Sequence, residues 1–171
     1  MIILVIGGSA SGKSSFGEKK CLELALPVWY AATMKPFGEE GEIRIKRHRD
    51  LRKDKGFITV EQYTDIGSAP VEGGTVLLEC VGNLTANEMY EDDGTEHDPT
   101  YKVTEGIRKL SGKCSDMVII TNDVAREPLM YDDSTNRYIE AMGRINMSLA
   151  SMADEVYEVV CGIPLKIKGE C

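Results

Sequence analysis

A chain of 171 residues, 42% of them hydrophobic, is long enough for one compact domain with a sizeable core and leaves too little for a second. Its formal net charge is −8, yet residues 44–55 hold seven of the twenty Lys and Arg against two acids, Asp50 and Asp54, so a +5 segment sits in a −13 remainder. Such a field disfavours general nucleic-acid binding while leaving room for a small phosphorylated ligand met locally.

Five cysteines (Cys21, Cys80, Cys114, Cys161, Cys171) are odd in number, scattered and without C-x-x-C spacing. They suggest neither a disulfide framework nor a zinc site, and fit a reducing cytoplasm. The opening "MIILVI" is apolar for only six residues and runs straight into glycines, so neither a leader nor a membrane span is expected.

In chain order, "MIILVI", "PVWYAA", "FITV", "TVLLEC", "MVIIT" and "VYEVVC" are the strand candidates. Helices are expected near 13–25, 38–54, 83–91, 100–112 and 134–153. The alternation implies an α/β fold on a mostly parallel sheet, with the continuously apolar runs as central strands covered on both faces. "EVYEVVCGIPLKIK" reads as an edge hairpin turning at Gly162-Ile163-Pro164, with Lys166 and Lys168 pointing outward in alternation with Leu165 and Ile167. Residues 88–98 carry six acids and no Lys or Arg and read as a solvated loop in which His97 is incidental.

Directly after the first strand, "GGSASGKSS" contains G-x-x-x-x-G-K-S: Gly7, Gly8, Ser9, Ala10, Ser11, Gly12, Lys13, Ser14. The glycines allow a backbone wrap whose N–H groups face phosphate oxygens, the following helix adds the positive end of its dipole, and Lys13 reaches the outer phosphates. Ser14 is the expected magnesium ligand. Ligands of open α/β sheets gather at the carboxyl ends of the strands, which nominates Ala31, Ala32 and Thr33, then Glu79, then Asn122 and Asp123. Glu79 is a second candidate for magnesium. Asn122 and Asp123 are explained equally by a turn or a helix cap.

If residues 39–54 are helical, Arg44, His48 and Arg52 share one face. Neighbouring cations disfavour imidazolium and leave a neutral ring nitrogen as nucleophile or base. A triphosphate held by arginines while imidazole attacks phosphorus is one reading of that stripe, and a solvated basic helix is the other.

With these motifs in order, the chain resembles the bifunctional adenosylcobinamide kinase/adenosylcobinamide-phosphate guanylyltransferase family over nearly its full length. The landmarks are "ILVIGGSASGKSSF", "WYAATM", "RIKRHRDLR", "FITVE", "VLLECVGNLTAN", "VIITND" and "GRINMSLASMADEVYEVVCGIPLKIK". The resemblance implies a RecA-like P-loop fold, magnesium, GTP and ATP as substrates, a homotrimer, and adenosylcobinamide and its phosphate as the other substrates. It implies His48 and Lys13 as catalytic residues, with His48 becoming guanylylated. It also implies nucleotide contacts from Ala31 to Thr33, from Arg49, Asp50, Leu51 and Arg52, and from Glu61 and Glu79.

The chain departs from the family pattern in places. Phe57 replaces a tryptophan, Asp123 a glutamate, Asn136 and Ile139 two arginines, Glu140 an aspartate and Met147 a glutamine. Arg126, Arg137 and Arg144 are the cations left to compensate. Two other readings stay open: a different P-loop kinase or nucleotidyltransferase, and a GTP-binding regulatory protein.

Overall fold

The computed structural model describes residues 1–36, 38, 55–90, 94–124 and 131–170. The expected helix over 38–54, and with it Arg44, His48, Arg49, Asp50, Leu51 and Arg52, lies outside the described residues apart from position 38.

The strands are β1 (Ile2–Gly7), β2 (Val28–Ala32), β3 (Ile58–Glu61), β4 (Thr75–Leu78), β5 (Asp116–Asn122), β6 (Glu155–Val160) and β7 (Ile163–Lys168). They form one sheet in the order β3-β2-β4-β5-β1-β6-β7. Every pairing is parallel except β6 with β7, which form an antiparallel hairpin at the edge. The longer helices among the described residues are α1 (Lys13–Leu22), α2 (Val81–Met89), α3 (Thr100–Ser111) and α4 (Asp133–Met152), and a 3-10 turn spans Ile66–Ser68.

Both faces of the sheet are covered, which is why the central strands read as unbroken apolar runs. On one face Leu4, Leu78, Met117 and Ile119 pack with Val81, Leu84, Val103, Ile107, Met142 and Ile145 from α2, α3 and α4. On the other, Ile3, Val5, Leu77, Val118 and Ile120 pack with Cys21 of α1 and partly buried Phe16. Successive residues of β1 and β5 thus enter different cores, as the two-residue period of a strand requires.

Several boundaries differ from expectation. α1 ends at Leu22 rather than near 25, with Glu23 and Leu24 bonding back to the carbonyls of Lys20 and Cys21. α2 begins earlier because the Cys80 thiol accepts the Asn83 N–H at 3.4 Å and caps it. Glu88 belongs to α2, not to a solvated loop: it is buried, accepts the Asp65 N–H and pairs with Lys102 at 2.6 Å.

The hairpin turns at Cys161 and Gly162, both at positive φ, so Ile163 and Pro164 already belong to β7. Every residue of β7 is exposed, including Leu165 and Ile167, so neither face of this edge strand is buried. Lys168 instead reaches across to the Ala150 and Ser151 carbonyls at 2.9 and 3.1 Å and satisfies the end of α4.

Candidate active site

The loop between β1 and α1 is built by backbone conformations that few residues tolerate. Ala10 and Gly12 both take positive φ, 56° and 94°. At Gly7 a side chain has no room, since a Cβ would meet the Ser11 hydroxyl at 2.5 Å and the Val159 carbonyl at 2.7 Å. Gly12 precedes α1 without supplying a side-chain cap, so the first-turn N–H groups remain available to an anion. Lys13 folds back and donates to the Gly8 carbonyl at 2.9 Å. Burial holds the Lys13 ammonium below its usual pKa, with the neighbouring Cys80 opposing that shift.

Above the loop lies a cavity of about 400 Å³ lined by Ser9, Ala10, Lys13 and Ser14, by Met34, by Glu79, Cys80 and Asn83, and by Ile120, Asn122, Asp123 and Val124. Its walls follow β1, β5, β4 and β2, which are consecutive in the sheet, so the cavity sits at their carboxyl ends. Glu79 accepts the Thr33 N–H at 3.3 Å. The Cys80 thiol accepts from the Asn122 amide at 3.6 Å, and burial pushes its pKa up, leaving it protonated. One cation and two carboxylates, with hydroxyl and amide groups between them, suit a phosphate chain and a hard divalent ion.

A phosphate loop at this position on a RecA-like sheet narrows the field to P-loop nucleotide enzymes, and the family model for cobinamide kinase / cobinamide phosphate guanyltransferase matches residues 3–167. The chain belongs to that family. Among curated relatives, the bifunctional adenosylcobalamin biosynthesis protein CobU of Escherichia coli K12 is 33% identical, with 98% of this chain and 100% of that protein covered. CobU of Salmonella typhimurium LT2 is 32% identical over the same shares, and CobP of Pseudomonas aeruginosa PAO1 is 26% identical over 98% and 97%. A solved structure from Pyrococcus horikoshii OT3 has the same fold, at a TM-score of 0.54 and 11% identity, covering 99% of this chain and 87% of its own.

Among the described residues, those expected to contact nucleotide in this family fall into three groups, while Arg49, Asp50, Leu51 and Arg52 lie outside them. Ser9, Ala10, Lys13, Ser14 and Glu79 come together around the cavity. Gly7, Gly8, Ser11 and Gly12 shape the loop beneath it, and the Ser11 hydroxyl is buried with no hydrogen-bond partner among the described residues.

The third group stands apart. Ala31 is fully buried in the core, so its side chain is closed to any ligand. Thr33 is equally buried, with its N–H given to Glu79, its hydroxyl to the Cys80 carbonyl at 2.9 Å, and its own carbonyl accepting from Asn87. Ala32 ends β2 beside Glu61, which is exposed on β3 and accepts from the Tyr63 hydroxyl. From that stretch it is Met34 that reaches the cavity.

Cys80 and Asn83 are cavity residues that sequence reasoning missed. The signal was their position, one and four residues past Glu79, where a helix opening after β4 keeps facing the site. Arg137 and Arg144 do not compensate there for the absent arginines. They bond Glu96 at 3.0 Å and Asp98 at 3.2 Å, and line a second cavity of about 260 Å³ together with His97. Arg126 lies outside the described residues.

Proposed function

We propose that this enzyme phosphorylates the aminopropanol hydroxyl of adenosylcobinamide with a nucleoside triphosphate, then transfers GMP from GTP to the product, giving adenosyl-GDP-cobinamide. The observation that carries the reading is the convergence of Lys13, Ser14 and Glu79 on one cavity at the end of a phosphate loop, in a chain of the cobinamide kinase / cobinamide phosphate guanyltransferase family.

The loop backbone and the open start of α1 bind the phosphate chain, and Lys13 exchanges its contact with the Gly8 carbonyl for the outer phosphate oxygens. A phosphate chain there counters the burial that depresses the lysine's pKa. Ser14 and Glu79 fit magnesium, which takes one or two protein oxygens and completes its shell with phosphate and water. An ion held by Ser14 and Glu79 would supply positive charge against the charge that develops during transfer.

In the second reaction, neutral His48 attacks the α-phosphorus of GTP and expels pyrophosphate. The cobinamide phosphate then displaces histidine from the resulting phosphoramidate. Arg49 and Arg52 hold phosphate beside it. The family resemblance also supports a single cytoplasmic catalytic domain acting as a homotrimer. No described helix is long and apolar enough to cross a membrane.

The test is incubation of the protein and of His48→Ala with magnesium and α-phosphate-labelled GTP. Label on the parent alone, acid-labile and base-stable as a phosphoramidate is, is the expected result. A folded, GTP-binding protein that takes up no label would overturn the covalent route and favour a different P-loop kinase or a regulatory protein.

A further inference from the structure

The cavity holds two carboxylates among its described residues, and only Glu79 has been used so far. The other, Asp123, follows directly on β5, the strand that lies between the loop strand β1 and the Glu79 strand β4. Gly7 and Asn122 are register partners, so Asp123 stands beside the first turn of the phosphate loop.

The peptide that carries Asp123 is clamped from both sides. Its N–H, that of Asp123, donates to the Gly7 carbonyl at 3.3 Å, and its carbonyl, that of Asn122, accepts from the Asn146 amide at 3.1 Å. Asn146 is itself fixed by the buried Thr121 hydroxyl at 2.6 Å. A peptide held by the loop on one side and by α4 on the other fixes the backbone from which Asp123 lines the cavity. A phosphoryl acceptor needs that kind of placement.

We propose that Asp123 is the acceptor-side base of the kinase reaction and that Asn146 is its positioning residue. The inference rests on the kinase half of the function proposed above. As the acceptor hydroxyl oxygen bonds to the terminal phosphorus of the nucleoside triphosphate, the bond from that phosphorus to the bridging oxygen breaks and the nucleoside diphosphate leaves with the electron pair. The hydroxyl proton passes to the Asp123 carboxylate.

The other groups at the cavity are poorly suited to take that proton. Lys13 is a cation, Asn83 and Asn122 are neutral amides, and the Cys80 thiol is already an acceptor for two N–H groups. Glu79, which follows β4 one strand further from the loop than β5, is the carboxylate assigned to magnesium above and also accepts the Thr33 N–H just past β2.

The experiment measures kcat and nucleotide KM for adenosylcobinamide phosphorylation by the parent, Asp123→Asn and Asn146→Ala, with GTP labelling of His48 followed in the same preparations. Asp123→Asn is expected to lower kcat by roughly 10²- to 10⁴-fold, the usual span for a lost general base, with KM little changed. Labelling should persist, because imidazole attack on GTP removes no hydroxyl proton. Asn146→Ala should lower kcat less, again at unchanged KM.

An Asp123→Asn protein with parental kcat overturns the proposal. So does one whose nucleotide affinity, magnesium requirement and labelling fall together with kcat, since that pattern belongs to a metal ligand or to a loop distorted as a whole. A parent that labels His48 but phosphorylates no acceptor defeats the kinase reading itself, and the role of Asp123 falls with it.

Discussion

Gly162, at the tip of the C-terminal hairpin, donates its N–H to the carbonyl of Ser11 in the phosphate loop at 2.8 Å. The contact is close enough that a Cβ on Gly12 would lie 3.1 Å from the Gly162 Cα. The hairpin is therefore a support for the loop as well as an edge of the sheet. Gly162 sits at φ 81°, so Gly162→Ala is expected to cost about 1–2 kcal/mol of stability and to weaken nucleotide binding. Gly73→Ala is the comparison, at φ 65° with open space for a Cβ and just before β4, at the opposite end of the sheet from the loop. It should lower the melting temperature without changing nucleotide affinity in a titration.

Gly17 allows α1 to lie directly on the sheet. A Cβ there would meet the Ile120 Cδ1 at 2.3 Å and the Val118 Cγ1 at 3.5 Å. Gly17→Ala should destabilise the protein by about 1–3 kcal/mol, the usual cost of overpacking. Removing the colliding methyl with Ile120→Val should recover part of that loss in the double variant. Additive losses in urea titrations would mean that the contact is not where the strain arises.

Glu88 is a buried carboxylate with two partners, the Asp65 N–H and the Lys102 ammonium. Through them it ties α2 to the segment after β3 and to α3. Glu88→Ala leaves the Asp65 N–H unpaired and should cost about 1–3 kcal/mol. Lys102→Ala removes a cation that is 60% exposed and should cost much less. Chemical denaturation of the two variants checks the order.

Glu155 and Lys166 join the two strands of the hairpin at 2.7 Å. The Lys166 hydrogen bond is the main reason that the Glu155 carboxyl stays below its ordinary value of 4.5. Its contribution is therefore present above the ordinary value and is lost as pH falls through the lower value of the folded state. The stability advantage of the parent over Glu155→Gln should be constant at neutral pH and shrink as acid takes the pH below the ordinary carboxylate value. An advantage that grew on acidification would contradict the sign.

The amino-acid sequence by itself determined what depends on neighbours along the chain. Glycines at fixed spacing after an apolar strand give the loop that ends in Lys13 and Ser14, because only glycine accepts the Gly7 contacts and the φ of Gly12 without strain. The continuous apolar runs announced strands covered on both faces, and the helix expected near 100–112 is α3, which buries Val103, Ile107 and Leu110 at helical spacing. Periodicity reports that a residue is buried, but not which strand will lie beside it.

Only the tertiary structure decided that β5 stands between β1 and β4. That placement brings Asp123 beside Gly7 and carries Cys80 and Asn83 to Lys13. It also decided that the Ala31 side chain is buried in the core, that Glu88 is buried, and that the last hairpin rests on the first loop. Each of these is a contact between segments far apart in the chain, fixed by strand order and by the packing of helices on either face, and no local pattern encodes it.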